Sequence, residues 1–122
     1  MSRILIIDDD PDLVAVAEIY LNGAGYEVSS ASNKNDGRKA VEQIKPDLIL
    51  LDVMMDTEDD GITLAQDLRR DGIKTPIIML TSMGTITGME FGRDNEIVPV
   101  DEFLNKPVDS ETLIDKVKKY IG

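Results

Sequence analysis

A chain of 122 residues has room for one domain of ordinary size, and with no cysteine and no histidine it excludes a disulfide framework, a thiol nucleophile, Cys/His zinc sites and catalysis by imidazole. With 24 Asp and Glu against 13 Lys and Arg, the formal charge of -11 opposes nonspecific contact with nucleic acid or anionic lipid. The apolar run behind Met1-Ser2-Arg3 is too short for a signal peptide or a membrane span, so the expectation is a cytoplasmic protein with no direct nucleic-acid binding and no membrane insertion.

Apolar runs alternate with amphipathic stretches from end to end. The first strand, Ile4 to Ile7, runs into Asp8 and Asp9. Asp10 is placed to cap the following helix and Pro11 to open it; Val14, Ala17 and Leu21 share its inner face, and Asn22-Gly23 ends it. A second strand spans Tyr26 to Ser30 and is the least oily, which suits a sheet edge. A second helix covers Asp36 to Ile44, stopped by Lys45-Pro46. The third strand, Leu48 to Leu51, ends at Asp52, and the third helix runs from Ile62 to Arg70, ended by Asp71-Gly72. The fourth strand, Ile77 to Leu80, ends at Thr81. Between Gly84 and Pro99 the glycines and scattered apolar residues predict a short, poorly anchored fourth helix. A fifth strand lies around Phe103-Leu104, just before Lys106-Pro107. The last helix begins near Asp109-Ser110, turns Leu113, Ile114, Val117 and Ile121 inward, and places Lys116, Lys118 and Lys119 near its negative end.

This order gives a (βα)5 chain. Right-handed crossovers would build it into a three-layer α/β/α sandwich around a five-stranded parallel sheet of order 2-1-3-4-5, the flavodoxin-like arrangement. In such a sheet, ligands bind at the carboxyl ends of the strands. Strand 1 then lies beside strand 3, so Asp8, Asp9 and Asp52 converge although more than forty residues separate them. Three clustered acids repel one another unless a cation sits among them. Mg2+, with Mn2+ as an alternative, suits a site of few carboxylates that takes further ligands from a phosphoryl group. Thr81 brings a hydroxyl and Lys106 an ammonium to the same edge, where either can meet a phosphoryl oxygen.

At this point the chain resembles the receiver domain of two-component response regulators, over essentially all 122 residues. The motifs that carry the resemblance are Ile-Ile-Asp8-Asp9-Asp10-Pro, Leu-Leu-Asp52-Val-Met-Met, Leu-Thr81-Ser82 and Phe103-Leu-Asn-Lys106-Pro107. Each is weak alone; together they are specific. The resemblance implies a phosphorylation-activated signalling switch in which Asp52 accepts a phosphoryl group from a sensor histidine kinase, a phosphotransfer protein or a small donor. Asp8, Asp9, Asp52 and the backbone carbonyl of Met54 would hold the metal, and Thr81 and Lys106 would grip the phosphoryl oxygens. Thr81 and Phe103 would form the switch that alters the face built by the fourth helix, fifth strand and fifth helix. That face would meet a downstream protein or a second copy in a phosphorylation-dependent homodimer. Such a domain catalyses its own Mg2+-dependent phosphorylation and dephosphorylation and has no independent metabolic substrate. By the same resemblance, Ser82 would leave the phosphoryl group room, and Met54 and Met83 would match the positions that modulate acyl-phosphate hydrolysis and, being uncharged, would favour a long-lived phosphoaspartate.

The chain departs from the family pattern in two places. The loop after Asp52 has Asp56 where proline is usual, and its glycine arrives one residue late, at Gly61. The interval from Thr81 to Lys106 is also longer than usual, with Ile97-Val98-Pro99-Val100-Asp101-Glu102 in place of the common acidic turn, which predicts an unusual signalling surface. The acidic run Glu58-Asp59-Asp60 reads as a solvated loop, and Met79 and Met89 as core filler. Two alternatives stand beside the receiver reading. Asp8-Asp9-Asp10 also has the Asp-x-Asp form of haloacid-dehalogenase-like phosphohydrolases with Asp8 as nucleophile, although Asp10 looks like a helix cap and no late paired carboxylates follow Lys106. The other is a receiver-like binding module that is never phosphorylated, which has no need of self-repelling acids. The expected organisation is one domain over 1–122 without an attached output domain.

Overall fold

The computed structural model describes residues 2–53, 55, 60–81, 100–106 and 108–122. Five parallel strands form one sheet in the order β2-β1-β3-β4-β5, from β1 (Arg3–Ile7), β2 (Glu27–Ala31), β3 (Leu48–Asp52), β4 (Ile77–Thr81) and β5 (Glu102–Asn105). The described helices are α1 (Pro11–Gly23), α2 (Lys34–Ile44), α3 (Asp60–Arg70) and α4 (Ser110–Ile121). The strand order is the flavodoxin-like one expected above, with β2 at an edge.

Alternation along the strands sorts the core into two layers. Ile4, Ile6, Leu48, Leu50, Ile78 and Leu80 face α1 and α4, where Ala17, Leu21, Leu113 and Val117 close the packing. Leu5, Ile7, Ile49, Leu51, Ile77 and Met79 face α2 and α3, against Val41, Leu64, Ala65 and Leu68. Strands β3 and β4 are buried along their whole length, so both faces must be apolar, and Met79 is the core filler its position predicts. No described helix is long and apolar enough to cross a membrane.

Element ends differ from expectation by local chemistry. Strand β2 is shifted one residue toward Ala31, and Tyr26, placed in it by the sequence, instead packs into the core just before it. Helix α2 starts two residues early because Asn33 caps it: Asn33 Oδ1 accepts from Asp36 N at 2.8 Å, and Asn33 Nδ2 donates to Asp36 Oδ2 at 2.9 Å. Helix α1 continues through Gly23, and the left-handed turn falls at Gly25, with φ of 97°. Helix α3 begins at Asp60, two residues before the expected start. On α4, Leu113 and Val117 are buried and Ile121 packs on the core, while Ile114 stays partly exposed. The expected fourth helix within 84–99, together with Ser82, Met83, Met89, Met54, Asp56, Glu58, Asp59 and Pro107, lies outside the described residues.

Candidate functional site

The site stands at the carboxyl edge of the sheet, where β1, β3, β4 and β5 end. Strand β1 delivers Asp8, whose N–H donates to Ala31 O at 3.0 Å. The chain then turns into α1. Asp10 N donates to Asp8 Oδ1 at 2.9 Å, while Asp10 Oδ1 accepts from Asp12 N at 3.0 Å and Leu13 N at 3.3 Å. Asp10 is thus the helix cap its place before Pro11 predicts, and its own N–H orients the Asp8 carboxylate. Asp9, between them, points to solvent.

Strand β3 carries Asp52 to the same edge, opposite Leu80 in register, and Val53 N reaches Leu80 O at 3.1 Å. Asp8, Asp9 and Asp52 come together, each offering a carboxylate oxygen within 4.8 Å of the others. Asp8 and Asp52 are only 2% and 4% exposed, so this is a largely dehydrated cluster opened to water through Asp9. Thr81 ends β4 beside Asp52 and is buried; Lys106 N donates to Thr81 O at 2.7 Å, which carries Lys106 over the cluster. Lys106 Nζ donates to Asp52 Oδ1 at 3.0 Å and lies 3.1 Å from Asp8 Oδ2. The second contact is an ion pair to a buried carboxylate oxygen. Burial opposes the charged ammonium of Lys106, yet its hydrogen bond to Asp52 and the charges of Asp8 and Asp52 outweigh that and raise its pKa above the usual lysine range.

Phe103 is partly buried against the α2/α3 core layer and pairs with Met79 in the sheet, not at the strand end itself. The structure therefore brings Asp8, Asp9, Asp52, Thr81 and Lys106 to one edge and sets Phe103 two register positions behind Thr81. The expected Met54 carbonyl ligand lies outside the described residues.

Two contributions were not read from the sequence. Lys106 bridges Asp8 as well as Asp52. Gly61 packs directly on the site: its N–H donates to Val53 O at 2.8 Å, and a Cβ on it would fall 2.0 Å from the Asp52 carbonyl oxygen. The late glycine after Asp52 was the available signal for this close approach.

An all-oxygen cluster of three acids, two of them buried, fits a hard divalent cation. The sequence matches the family model for the response regulator receiver domain over residues 4–118. The chain belongs to this family. It is 41% identical over 120 residues to the DNA-binding dual master transcriptional regulator RpaA of Synechocystis sp., covering 97% of this chain and 48% of that protein. It is 33% identical over 121 residues to the alkaline phosphatase synthesis transcriptional regulatory protein PhoP of Bacillus subtilis, covering 96% and 47%. Among solved structures, the Vibrio cholerae chemotaxis protein CheY4 superposes with a TM-score of 0.86 at 27% identity over 98% of each chain. The N-terminal domain of the nisin resistance regulator NsrR gives 0.84 at 28%, covering 100% of this receiver and 99% of that chain. The receiver spans about half the length of the curated relatives it matches.

Proposed function

We propose that this receiver accepts a phosphoryl group on Asp52 from a sensor histidine kinase or phosphotransfer protein, or from a small acyl phosphate, and passes the change to a downstream protein. The observation that carries the reading is the buried pair Asp8 and Asp52 held under Lys106, with the exposed Asp9 completing a cluster of three carboxylates. Asp8, Asp9 and Asp52 would hold Mg2+, which when bound supplies positive charge against the attacked phosphoryl oxygens.

An Asp52 carboxylate oxygen attacks phosphorus, a new O–P bond forms, and the bond from phosphorus to the donor nitrogen or oxygen breaks with its electron pair leaving on the donor. Lys106, already 3.0 Å from Asp52, moves its hydrogen bond to a phosphoryl oxygen. Thr81 offers its hydroxyl from the neighbouring strand end. Because Lys106 and Thr81 are tied through backbone at 2.7 Å, a shift at either moves the start of the β5–α4 connection, and Phe103 on β5 repacks with it. The output face is then β5 and α4 together with the segment preceding β5, in a cytoplasmic setting.

The test is intact-protein mass spectrometry after incubation with acetyl phosphate, with and without Mg2+, on the native chain and on Asp52→Asn. One phosphoryl adduct that needs both Mg2+ and Asp52 is expected. An adduct that persists in Asp52→Asn overturns the assignment and moves the nucleophile to Asp8.

A further inference from the structure

Between α1 and α4 lies a groove of about 400 Å³, inside the range of about 300–1,000 Å³ that small-molecule pockets occupy. Leu50, Leu80 and Leu113, each at most 2% exposed, line it together with Ala17. Residues this deep are reached by a slim ligand, not by a flat protein surface.

The charged residues lining the groove are Asp10, Asp12 and Lys106. The Lys106 ammonium is spent on Asp52 and Asp8, 3.0 and 3.1 Å away. Asp10 is held in the α1 cap, where its Oδ1 accepts from Asp12 N and Leu13 N. Asp12 is exposed and has no ion-pair partner among the described residues. These two carboxylates outweigh the roughly half a positive charge at the start of a helix, so the mouth of the groove is negative. The net charge of -11 over the whole chain adds to that field. An apolar groove with an unpaired carboxylate at its mouth is complementary to a small molecule with an apolar body and one ammonium group.

The groove also shares a wall with the acid cluster. Lys106 lines it while holding Asp8 and Asp52. Leu80 lines it while pairing with Asp52 in register, and its carbonyl accepts from Val53 N at 3.1 Å. A molecule seated there presses on two residues that fix the position of Asp52.

We propose that the α1/α4 groove binds a small hydrophobic amine, whose apolar body lies on Leu50, Leu80 and Leu113 and whose ammonium pairs with Asp12, and that its binding alters phosphorylation of Asp52 through Lys106 and Leu80. The binding site stands on the groove alone; its effect on phosphorylation rests on the reading of Asp52 given above.

Naphthylmethylamine is the probe, with naphthylmethanol and naphthoate as its neutral and anionic counterparts. The chain has no tryptophan, so naphthalene fluorescence reads binding directly. The amine should bind saturably and more tightly than the alcohol, with naphthoate weakest. Asp12→Asn should weaken the amine several-fold and leave the alcohol unchanged, and two-dimensional NMR should show amide shifts at Ala17, Leu80 and Leu113. A second groove, beside Asp9, Glu18 and Asp36, is acidic as well. Shifts confined to that groove, equal binding of the three naphthalenes, or an amine affinity indifferent to Asp12→Asn overturns the site. Labelling by acetyl phosphate is then followed with and without saturating amine, and its rate should change in the native chain and change less in Asp12→Asn at the same amine concentration. An unchanged native rate overturns the coupling. A native chain that takes no label even without amine counts against the reading of Asp52, while the fluorescence and NMR results still decide the groove.

Discussion

Lys106 Nζ and Asp52 Oδ1 meet at 3.0 Å across 54 residues of sequence, and the same ammonium stands 3.1 Å from Asp8. That ammonium thus contacts two of the three clustered carboxylates, and these two have side chains at most 6% exposed. On the proposed reading, a divalent cation would offset the repulsion among these acids and admit a phosphoryl group beside them.

Removing the lysine should expose that repulsion. Lys106→Ala leaves Asp8 and Asp52 buried without their cation, which costs about 3 kcal/mol, the lower end of the range for breaking a buried pair because the Lys106 side chain is itself 21% exposed. Urea denaturation without divalent cations should show this loss. Adding Asp52→Asn to Lys106→Ala should recover part of it, since one repelling charge is gone. A loss under about 1 kcal/mol would place this pair with ordinary surface salt bridges. In the phosphorylation assay, Lys106→Ala should still accept some label while losing the coupled change at Phe103.

Mg2+ should act in the opposite direction. A ligand that binds only the folded state at ten times its dissociation constant adds about 1.4 kcal/mol, so the native melting temperature should rise by a few degrees. Asp9→Asn removes a carboxylate from the exposed side of the cluster and should reduce the shift while leaving the metal-free melting temperature close to native. An unchanged shift would remove Asp9 from the metal site. Asp52→Asn should also reduce it, without loss of metal-free stability.

How much of this was legible in the sequence depends on how local the cause is. The five apolar runs, the oil-poor β2, and the Asp10-Pro11 start of α1 are written in contiguous residues, and the strand order follows because parallel strands need crossovers. The meeting of Asp8, Asp9 and Asp52 follows from that order. The cap at Asn33 was hidden because Ser32-Asn33-Lys34-Asn35-Asp36 offers several residues able to cap, and only the reciprocal bonds with Asp36 choose among them. The choice of Lys106 to bridge both acids was equally hidden, since a flexible side chain takes whichever partners the fold brings within reach. The partial exposure of Ile114 depends on the angle at which α4 lies on the sheet, which helical periodicity leaves open.

Gly61 gives a test of backbone positioning. With an added Cβ placed 2.0 Å from Asp52 O and 2.8 Å from Val53 Cα, the obstacle is backbone and cannot rotate away. Gly61→Ala should therefore cost at least about 2 kcal/mol and push the β3 end aside, lowering both the Mg2+-induced rise in melting temperature and the yield of phosphoryl adduct. Gly25→Ala is the control: nothing lies within 4 Å of its Cβ, and its cost comes from the positive φ alone, far from the acids. Equal loss of Mg2+ response in both variants would mean that general destabilisation, and not displacement of Asp52, is responsible.

The β5/α4 flank makes a prediction in pH. Tyr120 Oη donates to Glu102 Oε2 at 2.7 Å, and Lys116 and Lys119 bind the same carboxylate. Burial, followed by the hydrogen bond and charge of Glu102, pushes the Tyr120 phenol up to about 12. Burial opposes ionisation of Glu102, but its bonds from Lys116, Tyr120 and Lys119 prevail and hold it below the usual carboxylate range. A phenol whose pKa is raised on folding stabilises the fold fully below its ordinary value near 10, and that contribution disappears as pH rises toward 12. The depressed carboxylate contributes in the opposite window: its stabilisation is present above the ordinary glutamate value and is lost on acidification through the lower, folded value. Tyr120→Phe should thus be about 1 kcal/mol less stable than the native chain at neutral pH, with the gap closing between about pH 10 and 12. An ultraviolet difference titration of the native chain against Tyr120→Phe isolates this phenol, and a midpoint near 10 would show that Glu102 does not hold it.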